Sequence, residues 1–223
     1  MKLLLTSAGI ENGSIKKELR RLVGKDFAGM KMLFCTTASN YEGGNMSEWL
    51  VEDLSKFKDL GFEIDVCDIS GAPRENLLPR FEAADIFFFE GGNTQWLRKC
   101  IKESMLENKL PRLLKTRTWV GASAGSCVLC PTILNSVQQL FDEDFNGAPK
   151  DGLSLVDFQF VPHLDSPHFP KIRKENLENA ARSLRELDGR KLYVVDDNSA
   201  VSVDEDTVRV VSEGRWLEIQ NEK

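Results

Sequence analysis

The stretch Trp119-Val120-Gly121-Ala122-Ser123-Ala124-Gly125-Ser126 decides how the chain is read. A short apolar run enters a Gly-x-Ser-x-Gly pentapeptide and leaves it through the helix-compatible Ser126-Cys127-Val128-Leu129-Cys130. Strand, tight turn and helix in that order lift a serine hydroxyl above a sheet in a strained conformation, and only small neighbours leave room for the turn. The helix start then faces the serine, which places the N–H of Ala124 to donate to an oxyanion developing there. A plain βα turn needs small residues as well, so the pentapeptide has to be weighed with its surroundings.

Working outward, the same rhythm of strand and helix fills the first half of the chain. Leu3–Thr6, Met32–Thr36, Phe62–Cys67, Ile86–Phe89 and Thr118–Val120 are apolar runs too short for helices, most of them ended by Gly, Ser or Asn. The clearest helix between them carries Met46, Trp49, Leu50, Leu54, Phe57 and Leu60 on one face. Asn45 with Glu48 resembles a capping box at its start, and Gly61 is its stop. Strands apolar on both faces and joined by helices predict a doubly wound, mostly parallel α/β sheet covered on both sides. Beyond it, Gln138–Asp151 has no period and is expected to be a surface excursion. A helix bearing Ile172, Leu177, Ala180, Ala181, Leu184 and Leu187 follows. Val194–Val195, Ala200–Val203, Val208–Val211 and Trp216–Ile219 then predict an antiparallel C-terminal extension of the same sheet. No repeat or linker divides residues 1–223, which are expected to form one domain.

Composition narrows the function. The 223 residues carry a net charge of −6 with no basic stripe, which argues against nucleic acid. No apolar run approaches the roughly 20 residues that span a bilayer. The opening Met1-Lys2-Leu3-Leu4-Leu5 is too short for a signal peptide and is read as a first strand. Five cysteines, an odd number, argue against a disulfide framework and for a reducing cytoplasm. Cys127 and Cys130 form a C-x-x-C without a second pair, so they are read as small buried residues, and neither a metal nor a cofactor is expected.

Two further features bear on Ser123. Phe87-Phe88-Phe89-Glu90-Gly91-Gly92-Asn93-Thr94-Gln95 ends a strand in a Gly pair and opens a helix. In a doubly wound sheet such a loop lies at the carboxyl ends of the strands, and one of its N–H groups would complete an oxyanion hole if the two strands are neighbours. The chain has only two histidines, His163 and His168, both in Pro162-His163-Leu164-Asp165-Ser166-Pro167-His168. His163, just after an apolar run, is the better base for Ser123, whereas His168 has the setting of an exposed loop residue. An acid must orient that imidazole. Asp196 is the first choice, with Asp197 beside it and Asp142, Glu143 or Asp144 in the excursion as alternatives; each also has an ordinary role as a turn residue.

Taken together, Gly91-Gly92-Asn93-Thr94, Gly121-x-Ser123-Ala124-Gly125 with Pro131-Thr132-Ile133, and Leu155-Val156-Asp157-Phe158 leading to Pro162-His163 resemble the serine peptidases that include dipeptidase E and cyanophycinase. The resemblance covers nearly the whole chain. It implies a sheet like that of class I glutamine amidotransferases with serine in place of cysteine, and Ser123 as nucleophile with His163 as base. It further implies oxyanion and substrate contacts from Gly92, Asn93 and Ala124, and short peptides as substrates. Two segments depart from the family pattern. The acid's context here is Asp196-Asp197-Asn198. Where dipeptidase E carries an arginine for the substrate's aspartyl side chain, this chain has Pro170-Lys171-Ile172-Arg173-Lys174, leaving Lys171 or Arg173 as substitutes. A binding protein that kept the fold, or a hydrolase of a non-peptide acyl substrate, are the alternatives.

Overall fold

Leu3, Leu4 and Leu5 are all fully buried, although consecutive strand residues point to opposite faces. The same holds for Phe87, Phe88 and Phe89, so the sheet that contains them is covered on both sides. The computed structural model describes residues 1–42, 46–133, 140, 141, 143, 150–177 and 190–220. Asn45, Asp142, Asp144, most of the Gln138–Asp151 excursion and the helical pattern beyond Leu177 lie outside the described residues.

The main sheet has seven strands in the order β3-β2-β4-β5-β1-β8-β9. β1 (Lys2–Thr6), β2 (Lys31–Cys35), β3 (Glu63–Cys67), β4 (Ile86–Phe89) and β5 (Thr118–Ala122) run parallel, while β8 (Ser199–Asp204) and β9 (Thr207–Ser212) complete it antiparallel. One face packs on Ile15, Leu19 and Leu22 of α1 (Gly13–Val23) and Phe57 of α3 (Met46–Asp59). The other packs on α4 (Arg74–Ala83), α5 (Thr94–Glu103), α6 (Leu110–Leu113) and α7 (Ala124–Cys127). A short helix α2 (Thr37–Glu42) follows β2. Burying each aromatic of the Phe87–Phe89 run removes enough apolar surface to stabilise the fold by about 1.5–3 kcal/mol. Local signals set the helix ends: Asn12 caps α1 by accepting from the Ile15 N–H, and Gly24 ends it in the left-handed region at φ 72°.

The expected extension of the main sheet is only half right. β8 and β9 join it, but β7 (Lys191–Val195) and β10 (Trp216–Gln220) form a separate three-stranded sheet with β6 (Phe158–Val161), in the order β10-β7-β6. Val161, Leu192 and Val194 pack instead into a small core of their own with Leu164, Ile172 and Leu177. β6 and β7 are parallel and end together, and the chain then enters antiparallel β8 beside the carboxyl end of β1, where Ala200 pairs with Thr6. This arrangement brings the loops after β4, β5, β1, β6 and β7 to one edge.

Candidate active site

The turn after β5 is built around absent side chains. A Cβ on Gly121 would lie 2.3 Å from the Gly125 carbonyl oxygen, and one on Gly125 would lie 2.0 Å from the Phe89 carbonyl oxygen. Both glycines let β5 and α7 close on β4, and Ser123 between them takes φ 46° and ψ −106°. Its backbone N–H is held by the carbonyls of Thr6 and Ser7, its own carbonyl by the N–H groups of Ser126 and Cys127. Gly125→Ala should therefore lower unfolding free energy by about 3 kcal/mol or more, because backbone rather than a flexible side-chain end must give way. Urea unfolding measures this; a change within about 0.5 kcal/mol would mean that the close approach is absent.

His163 follows β6 with its backbone at φ 67° and its Leu164 N–H on the carbonyl of Val195, which locks it against β7. Its Nε2 lies 2.9 Å from Ser123 Oγ and its Nδ1 2.6 Å from Asp197 Oδ1. The ring stacks on Phe169 at 4.1 Å and meets the edge of Phe141. Burial works to raise the Asp197 carboxyl, but the hydrogen bond and charge of His163 and the hydroxyl of Ser7 outweigh it and hold it below the usual carboxylate range. An ionised Asp197 only accepts, so Nδ1 carries a proton, and in the neutral imidazole Nε2 is left as acceptor for the Ser123 hydroxyl.

Asp196, the first choice for the acid, is not hydrogen-bonded to His163; the carboxylate on Nδ1 is that of Asp197. Asp196 Oδ1 accepts from the Asn198 N–H and the Ser199 hydroxyl, and Oδ2 accepts from the Arg215 N–H, so this carboxylate ties the β7–β8 turn to the start of β10. Glu143, another alternative, accepts from the Gln95 N–H at the start of α5. Asn93 also differs from expectation. Its side-chain oxygen caps α5 by accepting from Trp96, and its N–H goes to the Ala38 carbonyl, so it shapes the loop and does not line the cavity over Ser123. Gly92 beside it has φ 123°, with no space for a Cβ against the Ala38 carbonyl and the Ser39 nitrogen. Among the described residues no acceptor is hydrogen-bonded to the Gly92 or the Ala124 N–H.

Ser7 escaped sequence reading. It is fully buried at the end of β1, donates to Asp197 Oδ1 at 2.7 Å and accepts from the His163 backbone N–H at 2.8 Å. Its only sequence signal is its place just past an apolar strand, Leu3-Leu4-Leu5-Thr6, that turns out to neighbour β5.

A cavity of about 780 Å³ opens over Ser123, within the roughly 300–1,000 Å³ usual for small-ligand sites. Its wall includes Gly92, His163 and Asp197, with Trp49, Asp53 and Glu90 on the side of α3 and the β4 loop. His168 also reaches the cavity, exposed and edge-on to Trp49. Lys171 and Arg173 do not line it. Cys127 touches the cavity, but burial pushes its thiol far above the ordinary range and that of Cys130 up to about 12, so neither is poised as a thiolate.

A serine at a positive-φ strand-to-helix turn, backed by an imidazole and a carboxylate at the carboxyl edge of a parallel sheet, is the arrangement that serine hydrolases of the α/β class use. The model of peptidase family S51 matches residues 3–211, and the chain belongs to that family. Among curated relatives, Peptidase E of Nostoc sp. PCC 7120 is 29% identical over 70% of this chain and 62% of its own length. Peptidase E of Salmonella typhimurium LT2 is 30% identical over 65% of this chain and 56% of its own. The match thus spans less than two thirds of either. An uncharacterised peptidase of Listeria innocua is 23% identical over 84% of this chain and 87% of its own. The fold is shared with a Listeria monocytogenes EGD-e protein provisionally assigned to peptidase E, with TM-score 0.78 and 20% identity over 96% of this chain and 98% of that one. A peptidase from an acI-B1 Actinobacterium has TM-score 0.65 and 20% identity, over 99% of this chain and 93% of its own. Among the described residues no helix is long and apolar enough to cross a membrane.

Proposed function

We propose that this protein is a serine peptidase acting on short peptides, with Ser123 as nucleophile, His163 as base and Asp197 as the acid that orients it. The observation that carries this reading is the continuous hydrogen-bonded line from Ser123 Oγ through both ring nitrogens of His163 to Asp197, at 2.9 and 2.6 Å. Family membership supports the peptide substrate, and the size of the cavity supports a short one.

His163 Nε2 takes the Ser123 proton as Oγ bonds to the scissile carbonyl carbon. The electron pair displaced onto the carbonyl oxygen is held by the Gly92 and Ala124 N–H groups, which have no acceptor of their own among the described residues. Collapse breaks the C–N bond, and His163 returns the proton to the leaving amine. A water deprotonated by the same nitrogen then attacks the acyl-enzyme, freeing the acid and restoring Ser123. Asp197 holds Nδ1–H throughout and stabilises the imidazolium, while Ser7 holds Asp197. The five cysteines, all unpaired and buried, support the cytoplasm as the compartment.

Mass spectrometry of a di- and tripeptide library, together with fluorophosphonate labelling of the intact protein, tests the reading. New termini within the peptides and a single adduct on Ser123 are expected. An adduct without any peptide cleavage would instead assign the machinery to a non-peptide acyl substrate; no adduct would make the protein a non-catalytic binder.

A further inference from the structure

Lys56 is the only Lys or Arg that lines the cavity among the described residues, against six carboxylates, and it pairs with three of them. Its ammonium lies 2.5 Å from Glu11, 3.5 Å from Asp53 and 3.7 Å from Glu52. Glu90, 4% exposed, has for Oε1 only the N–H of Gly91 at 3.2 Å, and its Oε2 has no hydrogen-bond partner. Buried polar atoms in native proteins are partnered, so an orphaned carboxylate oxygen on a residue that lines the cavity calls for a donor from that side. The position matters for chemistry: a Cβ on Gly91 would stand 3.4 Å from Ser123 Cβ, so the Glu90–Gly91 peptide borders the nucleophile. Trp49, 41% exposed, lines the same cavity, and an indole attracts a cation placed over its ring.

We propose that Asp53 and Glu90 form a subsite that holds a positively charged group of the peptide next to its scissile carbonyl. This rests on the reading of the cavity as the cleft of a serine peptidase. The shared chemistry is an ammonium or guanidinium, carried either by the peptide's free N-terminus or by a basic side chain. A substrate carboxylate would meet Glu90 and Asp53 with only Lys56, already engaged, to offset them. Burial raises the Asp53 carboxyl to about 7, and burial together with the Asp53 charge raises that of Glu90 to about 8, so with Lys56 alone beside it the pair is held close to protonation. A bound cation removes that penalty and leaves both ionised and paired.

Calorimetric titration of the Ser123→Ala protein separates binding from turnover. The probes are alaninamide (α-ammonium alone), N-acetyl-lysinamide (side-chain ammonium alone), N-acetyl-alaninamide (neutral) and N-acetyl-aspartic acid amide (anionic). At least one cationic probe should bind tenfold or more tightly than the neutral one, with the anionic probe weakest; the better cationic probe names the source of the charge. Glu90→Gln and Asp53→Asn, each checked for an unchanged melting profile, should abolish the preference. Equal binding of cationic and neutral probes, or a preference for the anionic one, overturns the subsite, and that comparison needs neither variant. Peptide cleavage by the wild type without cation preference would overturn the subsite alone, whereas cation binding without any peptide cleavage would overturn the peptidase reading alone.

Discussion

Replacing Ser123 by alanine is expected to lower kcat for peptide cleavage roughly a million-fold, leaving only the residual catalysis that the oxyanion donors and binding supply. The hydroxyl contributes little to the fold: its side-chain hydrogen bond is to His163, and the strained turn is held by the backbone of Ser123 and by Gly121 and Gly125, which alanine leaves in place. His163→Ala should cost nearly as much, and the double variant no more than either single one, because the two act as one proton-transferring unit. Multiplicative losses, or near-wild-type turnover in Ser123→Ala with an unchanged melting curve, would place the chemistry elsewhere. Single-turnover cleavage of the best library peptide gives the rates.

What the sequence discloses about this site follows from how local each signal is. The Ser123 turn is legible because its constraint is carried by neighbours in the chain: Gly121 and Gly125 meet backbone atoms at distances no other residue tolerates. The parallel core is legible from runs such as Phe87–Phe89, apolar on both faces. The choice between Asp196 and Asp197 is not, since adjacent residues leaving a strand point in opposite directions. Which of them faces His163 depends on β7 pairing with β6 in a second sheet that hydrophobic alternation does not distinguish from the first. Ser7 has no motif and gains its role only from the order β5-β1-β8, which sets its hydroxyl between His163 and Asp197. Asp53 did leave a trace. It sits four residues after Trp49 and four before Phe57, a carboxylate on the face of α3 read as apolar, and such a break in a stripe is where a helix serves a cavity rather than the core.

That ambiguity between neighbouring aspartates yields the second large effect. Asp197→Asn should lower kcat by about 10³–10⁴-fold whichever way the new amide turns. With its oxygen toward His163 the charge that stabilises the imidazolium is gone; with its nitrogen inward, Nδ1 must become the acceptor and Nε2 carries the proton, so the ring can no longer take one from Ser123. Asp196→Asn should leave kcat within about tenfold, since its carboxylate meets the Asn198 and Arg215 N–H groups and the Ser199 hydroxyl rather than the imidazole. Its cost falls on the fold. An amide cannot offer two acceptor oxygens to the donors on its two sides, so one of them loses its partner, at about 1–3 kcal/mol. That corresponds to a melting temperature lower by about 2–12 °C for a chain of this size. The two variants thus separate catalysis from stability across one peptide bond. The opposite pattern, with turnover lost in Asp196→Asn and retained in Asp197→Asn, would require the β7–β8 turn to present its other carboxylate to His163 in the working enzyme.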